Sequence, residues 1–129
     1  MIGAMPNAEP ADYEDFKETI AYEASHFDHG VYEVWWDANS RYPDWPLSQR
    51  LAIAERVVDD LIASYDVRFF RVNDLDRERP EPIAAADVPG VLRAWDTWVV
   101  PHDGNAIVLF RIAEPLMTTP QDPEVDSPT

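Results

Sequence analysis

The sequence predicts an α+β domain built from three helices plus a small antiparallel β-sheet. Two observations carry that expectation. Apolar residues recur at helical spacing through most of 11–65. They give way to two β-prone runs, VRFFRV at 67–72 and AIVLFRIA at 106–113.

The first helix is expected from about Ala11 to Ser25. Phe16, Ile20 and Ala24 share a face there, and Asp12, Glu14 and Asp15 stand near its positive end. The second spans about Asp28 to Tyr42, with Val31, Val34, Trp35 and Ala38 on one apolar face, until Pro43 bars continuation. The third covers residues 46–65. Asp44 is its expected cap, Pro46 sits in its first turn, and Leu47, Leu51, Ala54, Val58, Leu61 and Tyr65 hold a helical period. Residues 67–72 then read as a strand, and 73–86, polar and proline-bearing, as an exposed loop or insertion. Asp87 and Pro89 open a short helix through Trp95. A hairpin is expected last: 97–100, a turn at Asp103–Gly104, and 106–113, which also pairs with 67–72. Residues 1–10 and the acidic, proline-rich tail 115–129 read as disordered, which leaves 11–114 as one domain.

The chain has 129 residues, no cysteine and a formal charge of -15. Disulfides and thiolate metal sites are therefore excluded. Eight acids lie in residues 1–15 and 114–129; without them, 17 acids face 10 bases. No secretory signal opens the sequence, and no run approaches the about 18 apolar residues of a membrane span. Nine of the ten basic residues are arginine, a bias expected of a GC-rich, bacterial coding source. A cytoplasmic protein is expected.

Three segments, GVYEVWWDANSRYP, PLSQRLAIAERVVDDLIASYDVRFFRV and TWVVPHDGNAIVLFRIAE, follow the order helix, helix, strand, returning strand. Together they resemble small bacterial proteins of winged-helix-like layout, over about residues 28–113. The resemblance implies a fold and no activity. It departs from the DNA-reading version, because one long helix carrying Glu55, Asp59 and Asp60 fills the place of a recognition helix.

No constellation for catalysis stands out. His26 and His29, with Glu23 and Asp28 nearby, could offer mixed metal ligands on a continuous helix, but Asp28 and Gly30 suggest a helix boundary there. His102 and Asp103 fall in the expected turn, and Glu33 and Asp37 form an acidic strip. There is no nucleophile elbow and no glycine-rich phosphate loop. The expectation is a protein without enzymatic activity, metal or cofactor.

The charge points instead to a basic protein partner, met by an acidic interaction module of the immunity-protein or inhibitor type. Trp36, Tyr42 and Trp45, flanked by Asp37 and Asp44, are the expected anchors, because Trp and Tyr dominate tight interfaces. Glu55, Asp59 and Asp60 are the expected steering charges. The alternative is a winged-helix DNA-binding regulator using Arg68, Arg71, Arg77, Arg79 and Arg111 on the 67–79/106–113 hairpin. Within 67–79, four arginines oppose Asp74, Asp76 and Glu78, leaving only +1 against a polyanion.

Overall fold

A computed structural model describes residues 10–73, 76–99 and 106–115. The class is α+β: among the described residues, four helices pack with a four-stranded antiparallel sheet.

Helix α1 (Tyr13–His26) buries Phe16, Ile20 and Ala24, the face expected from its period, and Tyr13 and Ala21 with them. Its first turn carries Glu14 and Asp15, and it ends where Phe27 turns extended. A two-residue strand, β1 (His29–Gly30), follows, and α2 (Val31–Arg41) begins only after it. The second helix therefore starts later than its period suggested. His29 and Gly30 are drawn out of helical geometry to pair with Phe110 and Leu109 of the last strand. A side chain on Gly30 would also meet the Tyr32 ring, 2.5 Å from the added Cβ.

Helix α3 (Leu47–Ser64) starts at Pro46, whose carbonyl accepts from Gln49 and Arg50 N–H. Asp44 does not cap it, because no side chain bonds the first-turn amides. The buried face is Ile53, Ala54, Val57, Val58 and Leu61. Leu47 is exposed and Tyr65 already belongs to the next strand, so the face is rotated from the expected one. Arg50 fixes the α2–α3 connection by donating from Nε to the Trp45 carbonyl at 3.0 Å and from Nη1 to Asn39 Oδ1 at 2.7 Å.

Strand β2 (Tyr65–Asn73) leads into β3 (Asp76–Pro82), where a loop was expected. Pro80 and Pro82 spoil a central strand, but β3 is an edge and needs bonds on one side only. Turns at Ala85–Asp87 and Trp95–Thr97 bracket α4 (Val88–Arg93), and β4 (Ala106–Pro115) closes the sheet in the order β1-β4-β2-β3.

The expected pairing of β4 with 67–72 is present, with Phe69 opposite Phe110 and Val72 opposite Ile107. Of the strand expected at 97–100, residues 97–99 are not extended, and Val100 lies outside the described residues. Thr97 closes a helical turn and Trp98 is buried, its indole donating to the Leu92 carbonyl at 2.8 Å. Burial of one large ring outweighs the β-propensity of TWVV. The Asp103–Gly104 turn lies outside the described residues.

The helices cover the sheet face carrying Phe69, Val108, Phe110 and Ile112. On the other face Val72, Ile107 and Leu109 cluster with Tyr32. No helix among the described residues is long and apolar enough to cross a membrane.

Candidate binding groove

On α3, residues 55, 59 and 62 are spaced by four and three, so Glu55, Asp59 and Ile62 fall on one stripe. That stripe forms one wall of a groove of about 760 Å³. Val67 and Phe69 of β2, with Pro82 and Ile83, make the floor; Val88, Pro89 and Leu92 of α4 make the facing wall, and Trp98 lies at the base. Volume and apolar lining match an organic-ligand or side-chain site.

The fold leaves both groove carboxylates unpaired. Among the described residues, neither Glu55 nor Asp59 has a hydrogen bond or an ion pair. Glu55 is half-buried and Asp59 stands at the rim. Loss of water pushes the Glu55 carboxyl above the usual carboxylate range, and the Asp59 charge adds to the rise. Asp59 moves the same way, first through desolvation and then through Asp60. The neighbouring cation is committed elsewhere: Arg56 stacks over the Tyr13 ring at 4.4 Å and pairs with Asp60 at 3.6 Å. Asp60 also accepts from the Tyr13 hydroxyl, so it joins α1 to α3 instead of standing free. Across the groove, Asp66 grips Arg68 with two bonds of 2.8 Å, which holds the Asp66 carboxyl below its usual range. Arg93 is exposed on α4.

The expected aromatic anchors are dispersed. Tyr42 is buried, stacks on Trp45 at 4.3 Å and donates its hydroxyl to Asp12 at 2.8 Å. Burial first, and then that bond, push the Tyr42 hydroxyl far above its usual range. Trp45 is packed against the core, and Asp44 is exposed beside it. Only Trp36, 48% exposed and edge-on to Tyr32 at 5.1 Å, keeps an open ring. Asp37, half-buried, is raised by desolvation and by Glu23. The anchors and the steering acids thus do not form one patch; of the eight residues, the groove takes in Glu55 and Asp59 alone.

His26 and His29 part company as well. His26 is exposed against Tyr22, whereas His29 is buried on β1. Its Nε2 lies 3.0 Å from Glu23 Oε1 and its Nδ1 3.0 Å from the Gly30 carbonyl, with Glu33 at 3.7 Å. Both ring nitrogens thus face oxygen atoms of the fold. No group of three or more His, Asp or Glu among the described residues is placed to hold a metal ion. His102 lies outside them.

The arginines of the alternative reading are largely occupied. Arg68 and Arg111 sit opposite each other across β2 and β4, and Arg111 is held by Asp28 at 2.6 Å and rests over Phe70. Arg71 is exposed, with Glu81 at its register position. Arg79 is exposed on β3, and the side chain of Arg77 lies outside the description. The groove itself escaped the sequence reading; its one signal was Ile62 on the α3 wall, apolar one turn beyond Asp59 on a face otherwise assigned to solvent.

The chain matches no family model, no curated protein and no solved structure.

Proposed function

We propose that this chain is a small acidic binding module of the bacterial cytoplasm that captures and regulates a basic protein partner, as an immunity protein or inhibitor does, without catalysing a reaction. One observation carries the reading: an apolar groove walled by two carboxylates, Glu55 and Asp59, that have no partner among the described residues, on a chain of charge -15. Charges left unpaired on a binding surface set the partner's sign, and long-range attraction speeds its approach. An apolar pocket beside them supplies the anchor that slows dissociation.

The test is capture from bacterial lysate with the chain as bait, with and without nuclease. A stoichiometric basic protein that survives nuclease is expected. Reversing both groove acids, E55K with D59K, should slow its association about tenfold, with the difference shrinking as salt rises. An unchanged association rate overturns the steering role.

The second reading is a winged-helix DNA regulator, favoured by the helix pair α2–α3 leading into β2, with β1 set against β4. It is the weaker one, since α3 presents Glu55 and Asp59 where a polyanion would approach. Recovery of DNA from the lysate, lost steeply with salt, would put it first.

A further inference from the structure

We infer that the groove seats an amphipathic helix of the basic partner, its apolar residues between α3 and α4 and two lysines or arginines one turn apart on Glu55 and Asp59. This rests on the binding-module reading and specifies the partner's contact element.

The shape argues for a helix. Residues of α3 and α4 line the groove on either side of strands β2 and β3, and helical walls over an apolar floor suit the helix-in-groove mode of peptide recognition. The competing mode, strand addition, needs main-chain donors at a sheet edge. Edge strand β3 carries Pro80 and Pro82, two positions with no N–H to offer.

The spacing fixes where the cations go. Glu55 and Asp59 are four residues apart, about 6 Å along the axis of α3. A helix lying alongside presents residues i and i+4 at the same interval, so two basic side chains reach both acids from one face while its apolar stripe faces Ile62, Ile83 and Leu92.

Charge complementarity sets the sign. Glu55 is half-buried and lacks a partner, so it gains from a cation what water no longer supplies. On the floor strand Arg68 already holds Asp66, and Arg93, like Asp59, is exposed, where an ion pair contributes little. The one half-buried charge lining the groove is therefore Glu55, and it is negative.

The experiment titrates the full-length chain with a synthetic helical peptide of about 18 residues (five turns), built from Ala, Leu and Lys. Its leucine stripe is flanked by lysines four apart; a control peptide carries Glu in place of Lys. Calorimetry gives the affinity and amide-resolved NMR the location. The expected result is binding of the lysine peptide alone, with shifts concentrated at Ile62, Phe69, Ile83, Leu92 and the Trp98 indole. Glu55→Gln with Asp59→Asn, both outside the core, should weaken it about tenfold while leaving the fold's circular dichroism unchanged. Leu92→Trp, which fills the groove, should block it. Shifts spread over the acidic surface without a groove cluster, or full affinity in the Gln/Asn variant, overturn the inference. If lysate capture yields a basic protein held equally by wild type and the Gln/Asn variant, the groove helix is wrong and the module reading survives. If the peptide enters the groove but no basic protein is captured, the module reading fails and the groove site stands.

Discussion

The α1–α2 side of the molecule and the α3–α4 side handle charge in opposite ways. Where α1 meets α2, charged groups close on one another. Arg41 bridges Asp12 and Asp15 at 3.2 and 3.1 Å while resting on the Phe16 ring, Tyr42 donates to Asp12, and buried His29 faces Glu23. On the groove side, Glu55 and Asp59 have no partner among the described residues and lie beside an apolar hollow. The first arrangement ties two helices together. The second gives up some stability for an available surface. Among the described residues, Glu55 and Asp59 are the carboxylates without a hydrogen bond or ion pair that line an apolar hollow, which is why the groove is the candidate site.

The largest effect is expected beneath the groove. Trp98→Ala removes a fully buried ring and its bond to the Leu92 carbonyl, and about 3–5 kcal/mol should be lost in urea unfolding. A loss under 1 kcal/mol would mean that the groove's base is not part of the core.

His29→Ala comes next. It opens space against Phe110 and leaves Glu23, Glu33 and Asp37 without their common neighbour. A destabilisation of about 2–3 kcal/mol at neutral pH is expected from the same denaturation series. An unchanged midpoint would show that His29 ties nothing together.

Tyr42→Phe deletes only the hydroxyl bond to Asp12 and should cost about 1 kcal/mol, read from the thermal midpoint. A neutral result would remove Tyr42 from the paired side of the comparison.

The smallest effect has the opposite sign. Carboxyls raised in the folded state favour folding when protonated, so their contribution is fully present below the unfolded pKa and is lost as pH rises through the folded one. Glu55→Gln with Asp59→Asn removes that loss. The variant should be more stable than wild type by about 0.5 kcal/mol at pH 7, with the advantage fading as pH falls through the carboxylate range. Because Asp59 is exposed, solvent screening keeps the gain small. Thermal midpoints at pH 7 and at acid pH decide it, and a destabilised variant would mean that these acids belong to the fold after all.

The acids were legible in the sequence as acids, but not as a pair set apart. Nothing in the order of residues distinguishes Asp59, which faces the groove, from Asp60, which is spent on Tyr13 and Arg56. Adjacent residues on a helix point about 100° apart, so one step decides whether a carboxylate holds the fold or faces the solvent. Likewise Tyr42 and Trp45 carry the composition of an anchor pair, yet stack on each other and close the α2–α3 connection.

By itself the sequence determined what local period and propensity can decide. It determined the α+β class, the buried face of α1, the existence of α2 and α3, and the pairing of 67–72 with the last strand. It also fixed the strongly acidic charge. Tertiary structure alone decided the rest: β1 pulled from a helix start, β3 raised from a proline-bearing loop, Trp98 buried where a strand was expected, and the groove these create. The physical reason is common to all four. A two-residue strand, an edge strand and a buried ring draw their stability from partners tens of residues away, and a hollow exists only between elements that have already packed.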